Sequence, residues 1–445
     1  MRILHLPGES IRGYSESSIH DIFSYFEPDL TVTTGLSDIQ RKIVHDESPY
    51  ESIDLDLLGG FTKRVFDDEV FLALRDENAL QQVDDLTEHR RTTILTDLIK
   101  EDMDPVSFDF RLTNSSLIDK VDEREEEIHL LSTEIETGKN PIHGGKTVHG
   151  FGPSRDLGDT KIPFLRSGKR PHIETLDSGK VGITAVSGLG RKFSVQLEHK
   201  GLVSREDLCC CEPSELLGHE GIGPYRSTKW ISSAKAIEER EVYKIQRNDL
   251  EGKHRIFVDI ETDSLNPRII WHIGLFDDQI GEYRCFLEKD PDRKGRIIED
   301  FLDYLEGHSG RDPVLLAWYG DNFDFPHLES FISEYAPSKK GVWNHIQKID
   351  FMRWVDRHAA LPCRSSKLES VAMRVGYGPE LLGLDGAEVG KMYSEYMEDE
   401  DKELHWKELK LYGKEDVIAM KYIYDKIKEA PLLYDLEEVK KKYNR

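Results

Sequence analysis

The chain is poor in cysteine, with 5 in 445 residues, and three of these stand side by side at Cys209, Cys210 and Cys211. So few thiols exclude a disulfide framework, and adjacent side chains diverge too far for one metal to take all three. Small, half-buried thiols in a reducing cytoplasm are the reading that remains. Long apolar runs are also missing. No stretch approaches the ~18 residues that cross a bilayer, which excludes a transmembrane helix and a membrane partner. The opening "MRILHLPGES" has no apolar segment with a small-residue cleavage site, so no secretory leader is expected. Positive charge is scarce: 60 Lys and Arg stand against 85 Asp and Glu, a net charge of −25. The basic field that usually drives phosphate binding is therefore lacking overall. A polyanion would have to be met by local basic patches or bound cations. The acidic excess also fits a surface adapted to high salt, where Asp and Glu maintain solubility.

The chain is long enough to need two or three domains. Its opening reads as a βαβ unit: "RILHL" as strand, "SIHDIFSYF" as helix, "DLTVTTG" as strand. This faintly resembles calcineurin-like metallophosphoesterases, but their Asp-x-His ligands are missing from "HLPGES", and the similarity is set aside. "VDEREEEIHLLSTEIE" reads as a solvated helix or strand pair. Residues 138–180, rich in Gly, Pro, His and charge, read as a long loop. Their "GGKT" is not a nucleotide-binding loop, because Asn140 occupies the first glycine position and Pro141 follows. The first domain is assigned to residues 1–195, with no function attached.

Residues 196–240 contain "SELLGHEGIGPYRSTKWISSAKAIE". This resembles the helix-hairpin-helix family of non-specific DNA-binding modules, with Gly221, Ile222 and Gly223 as the hairpin. Glycines let backbone N–H groups approach a phosphate next to a helix N-terminus, a contact that reads no bases. The plainer alternative is a Gly-capped helical turn that contacts protein or nothing.

Residues 250–432 alternate strands and helices: strands 255–260, 269–276, 282–287 and 313–319, helices 295–307 and 326–335, then further helices. This pattern describes a mixed α/β sheet covered by helices. "RIFVDIETDSL" ends its apolar run with Asp259 and Glu261, whose i, i+2 spacing places both on one face of a strand. Two buried like charges repel, so a cation is the first candidate to offset them. "VLLAWYGDNFDFPHL" places Asp324 between a strand and a helix. "LYGKEDVIAMKYIYDKI" places Tyr412 one helical turn before Asp416, above an apolar stripe that anchors the helix. Converging, the four carboxylates would hold two hard divalent cations with open positions for water and substrate. Taken singly, each acid could instead cap a strand or helix or pair with a lysine.

The ordered set "DIET", "GDNFDFPHL" and Y-x-x-x-D resembles the ribonuclease H-like 3′–5′ exonucleases with a DEDD site of the tyrosine type. It is similar to the YprB-like predicted nucleases and to the proofreading domain of family-B DNA polymerases. "SSKLESVAMRVGYG" and "VGKMYSEYM" are also similar to the YprB-like family. The resemblance implies two Mg²⁺ or Mn²⁺ ions on Asp259, Glu261, Asp324 and Asp416, and a water oriented by Tyr412. It implies hydrolysis from a 3′ end of nucleic acid, DNA favoured over RNA, with a partner in replication or repair as one setting. Exoribonuclease activity is the first alternative. A catalytically inactive nucleic-acid-binding or scaffolding protein with a nuclease fold is the second. One departure bears on the last: these families carry Asn where this chain has Tyr319. His272, His327 and His358 read as packing or surface histidines. "DRKGR" and "RHAALPCRSSK" read as solvated charge that could also steer a strand, and Trp318, Tyr319 and Phe323 as core aromatics that could also stack on a base. Residues 433–445 read as a charged tail. Oligomeric state is left open.

Overall fold

The computed structural model describes residues 1–443 apart from 68, 79–90, 104–109, 123–126, 157–158, 309, 311, 381–383, 385 and 399–403. The chain divides into two compact units, Met1–Ala185 and Val186–Arg445.

In the first unit, strand Arg2–Pro7 runs parallel to Leu30–Thr34, which runs parallel to Glu51–Asp54. Strand Asp159–Arg166 flanks Arg2–Pro7 antiparallel, and His172–Asp177 pairs with it in turn. A second sheet has the order Ile142–His143, Lys146–Gly152, Ile128–Glu136, Arg91–Thr96, Glu69–Leu74, Phe61–Phe66. "EVFLAL" is buried at every position, so both faces of its strand need cover. Phe71 and Ala73 pack on Ile3, Leu30 and Val32 of the first sheet, while Val70, Leu72 and Leu74 face helix Ser115–Asp122. Helix Glu16–Phe26 covers the outer face of the first sheet through Ile19, Ile22, Phe23 and Phe26. The unit is thus a two-sheet sandwich with helices outside.

Three sequence expectations change here. Residues 138–180 are largely strand, not loop. Gly144 and Gly145 form the two-residue turn of a hairpin in which His143 faces Lys146, which explains the glycine pair. Ile128–Glu136, expected to be solvated, is a central strand with Leu130, Leu131 and Ile135 buried. Its acidic flank misled the reading, and residues 123–126 lie outside the described residues. The supposed charged tail contains helix Leu436–Tyr443, whose Leu436 and Val439 are buried and which packs on helix Pro224–Glu239.

The second unit opens with helices Arg191–Glu198, Arg205–Cys209, Pro213–Leu216 and Pro224–Glu239. The first of these belongs here because Phe193 packs on Trp230 at 5.0 Å between ring centroids. A five-stranded sheet follows, ordered Glu282–Leu287, Ile270–Asp277, His254–Thr262, Pro313–Ala317, Gln347–Asp350. The three strands from His254–Thr262 onward are parallel, and the first two run antiparallel to their neighbours. Gln347–Asp350 was not anticipated: a four-residue edge strand carries too little pattern. Ile256, Val258 and Ile260 pack on helices Lys294–His308 and Asp324–Tyr335. Phe257, one residue out of phase, packs on the other face against Val417, Met420 and Ile423 of helix Trp406–Glu429. The second unit is therefore a mixed α/β sheet covered by helices on both faces. Among the described residues, no helix is long and apolar enough to cross a membrane.

Candidate metal site

The period-2 geometry of strand His254–Thr262 puts Asp259 and Glu261 on the face that Phe257 occupies, toward helix Trp406–Glu429. That helix is held down by Val417, Met420, Ile423 and Ile427, all fully buried, so Asp416 cannot swing away. The result is that ligand oxygens of Asp259, Glu261 and Asp416 all lie within 4.8 Å of one another. Asp324, the first residue of its helix, is 3% exposed. Its Oδ1 accepts the N–H of Ile260 at 3.3 Å, between the two strand carboxylates. Its charge acts on both Asp259 and Glu261. Helix Asp324–Tyr335 also presents its N-terminus, a favourable place for an acid.

Burial pushes every one of these carboxyl groups up. Asp259 and Glu261 are held well above the carboxylate range, first by desolvation and then by Asp416. Asp324 is pushed up to about 8 by burial, partly offset by its own N–H and that of Ile260. Asp416 is pushed up to about 7 by burial and then Glu415, with a hydrogen bond to Tyr412 pulling back. Asp259 Oδ2 is buried without a hydrogen-bond partner. A half-buried, mutually repelling set of hard oxygens, with one oxygen of Asp259 left unpartnered, suits a hard divalent cation.

The Tyr412 hydroxyl is held well above its ordinary value by burial and then by Asp416, Glu261 and Asp259. A cavity of about 360 Å³ opens over the acids, lined by Asp259, Tyr412 and Asp416 together with Trp318, Lys367, Leu368 and Tyr377. Lys367 is exposed at the start of helix Leu368–Arg374, so one cation of "RHAALPCRSSK" does reach the cleft. Arg364, by contrast, is buried. In "DRKGR", Arg293 pairs with Asp290 and Arg296 with Asp300, as solvated charge does. Trp318 donates its indole N–H to Ser366 O at 3.0 Å, and Phe323 packs on the core. Tyr319 is half exposed with a left-handed φ of 60°. His272 and His358 are buried and His327 lies partly buried, as packing histidines. Burial lowers His272 to about 3.

Gly221 adopts φ 76° and Gly223 caps helix Pro224–Glu239 with no side-chain hydrogen bond. Ile222 is 2% exposed, and its N–H is donated to His219 O at 3.0 Å. The hairpin lies apart from the carboxylate set in the sequence, and the cavity over the acids does not include it.

Sequence reasoning missed several residues. Leu265 is 87% exposed beyond Glu261, on a loop pinned by Asp263, which accepts the N–H of Arg268 at 2.7 Å and of Ile269 at 3.2 Å. The signal was available: a lone Leu in "TDSLNPR" has no periodic partner. Asp350 ends the third parallel strand, but it caps its own helix by accepting Arg353 N at 3.0 Å and is committed to structure. Glu415 is buried beside Asp416 and accepts the N–H of Glu380.

Among curated proteins, none matches the chain. Residues 256–428, which contain all four carboxylates and Tyr412, match the family model of the RNase H superfamily, and the C-terminal domain is RNase H-like.

Proposed function

We propose that this protein is a metal-dependent 3′–5′ exonuclease that hydrolyses phosphodiester bonds, with DNA as the favoured polymer. The observation that carries the reading is the convergence of Asp259, Glu261 and Asp416 within 4.8 Å, with the charge of Asp324 acting on Asp259 and Glu261, in an RNase H-like domain. Two divalent ions on these carboxylates would lower the pKa of an attacking water and stabilise the departing 3′ oxygen. Tyr412, one helical turn from Asp416 and lining the same cavity, orients that water as a hydrogen-bond partner. Lys367 offers a charge for a phosphate, and Trp318 and Tyr377 offer ring faces for a base. Gly221, Ile222 and Gly223 serve as a second, sequence-tolerant phosphate contact through their backbone, as a helix-hairpin-helix module would. The DNA preference rests on that hairpin and on the likeness of the motifs to the polymerase proofreading domain.

The test is single-turnover digestion of 5′-labelled single-stranded DNA and RNA with Mn²⁺ at low and high KCl, alongside Asp259→Ala and Asp416→Ala. A ladder from the 3′ end that vanishes in both variants supports the reading and names the polymer. Binding without cleavage of either polymer supports a second reading, a nuclease fold retained for recognition. That second reading is favoured by Tyr319, which stands where the exonuclease families that the motifs resemble carry Asn.

A further inference from the structure

Helix Trp406–Glu429 lies on strand Ile270–Asp277 with no side chain of its own at the point of contact. That point is Gly413, between Tyr412 and Asp416. A Cβ at Gly413 would sit 2.3 Å from Cε1 and 2.7 Å from Nδ1 of His272. The strand contributes a second glycine: a Cβ at Gly274 would meet Gly413 O at 2.9 Å and His272 Cε1 at 3.0 Å. The fully buried His272 ring thus fills a notch that two glycines leave open. His272 is also the direct cross-strand partner of Glu261, and Gly274 that of Asp259. Hydrogen bonding does not explain a histidine here. Its Nδ1 has no partner, and Nε2 reaches Tyr283 Oη only at 3.4 Å. What the ring supplies is volume at a defined place.

We propose that His272 is a positioning residue: wedged under Gly413, it sets the depth of the helix on the sheet, and so the reach of Asp416 and Tyr412 toward Asp259 and Glu261. The inference rests on the reading that these carboxylates hold a cation. Its magnitude is easily judged. Restoring ordinary contact of 3.4 Å from a 2.3 Å clash requires a shift of about an ångström. Metal–ligand distances tolerate about 0.2 Å. A single methyl group at position 413 is therefore enough to spoil the site.

The experiment is Mn²⁺ titration, followed by the paramagnetic resonance of the free ion, on wild type, Gly413→Ala, His272→Ala and the double variant. Thermal melts run alongside. Each single substitution should weaken Mn²⁺ binding about 10–100-fold, through a clash in one case and a void in the other. The double variant, in which the added methyl occupies the vacated space, should recover most of that loss. The KM for DNA at saturating Mn²⁺ should not move. The His272→Ala arm and its rescue carry the test even where Gly413→Ala alone fails to fold. Unchanged Mn²⁺ affinity in His272→Ala, or a double variant no better than the singles, overturns the inference. A wild-type protein that binds no Mn²⁺ overturns the carboxylate reading and this inference with it, an outcome told apart by the first titration.

Discussion

Both units bury titratable groups among parallel strands, but they treat them in opposite ways. In the first unit, the fully buried His5 has both nitrogens engaged: Nδ1 with Phe151 O at 2.7 Å and Nε2 with Thr34 Oγ1 at 2.8 Å. Burial lowers it to about 4, so it stays neutral and completes its own network. In the second unit, Asp259 keeps an oxygen with no partner, and its nearest charges are other acids. Polar groups closed on themselves stabilise a fold. Polar groups left open and mutually repelling weaken it, and persist where a ligand completes them. By this measure His5 is structural, and the carboxylate set has the character expected of the proposed metal site.

The comparison breaks most sharply at Asp416. Asp416→Asn should abolish hydrolysis, read by digestion of labelled DNA. It should also raise the stability of the metal-free protein by roughly 1–3 kcal/mol, because one raised carboxyl is removed from the cluster. Stability in urea without Mn²⁺ measures this, and a variant less stable than wild type would contradict the account.

The pH dependence sharpens the contrast, since the two kinds of group have opposite signs. Asp324 and Asp416 are raised to about 8 and about 7, so between the ordinary carboxylate range and pH 8 the folded state holds more protons than the unfolded. Their contribution to stability therefore falls as pH rises through that window. His5, lowered to about 4, holds fewer protons folded than unfolded. Its contribution is present above the ordinary histidine value and is lost as pH falls toward 4. Melting curves from pH 4 to 8 should show the alkaline loss in metal-free protein and its suppression by Mn²⁺, which takes the carboxylates deprotonated. An alkaline loss that Mn²⁺ leaves intact would locate it in other groups.

The smallest effect is expected at Tyr319, where an aromatic residue holds φ 60°. Tyr319→Asn places a residue tolerant of that conformation and should stabilise the fold by roughly 0.5–1 kcal/mol. Under the exonuclease reading, the same change should alter 3′-end digestion more than Mn²⁺ affinity. Equal changes in both would place Tyr319 in the metal site itself.

Much of the second unit was legible. Strand His254–Thr262 was marked by its apolar run, and helix Trp406–Glu429 by the apolar stripe that begins at Val417 and packs it on the sheet. Strand Gln347–Asp350 and hairpin Ile142–Gly152 were not legible, because they are short and sit among polar residues. The Gly413 notch could not be foreseen either. A glycine inside a helix reads as a local cost of about 1 kcal/mol, and its reason lies on a strand more than a hundred residues earlier in the chain.

Backbone geometry alone determined that Asp259 and Glu261 share a face, and that Tyr412 and Asp416 lie one turn apart. Strand and helix periods are local and hold in any fold. Which of the 85 acids meet was decided only by tertiary structure. The sheet order places His254–Thr262 between Ile270–Asp277 and Pro313–Ala317, and the buried stripe from Val417 to Ile427 lays the last long helix across it. Such contacts depend on apolar surface finding its partner across the chain, and that match is made by packing and not by any spacing in the sequence.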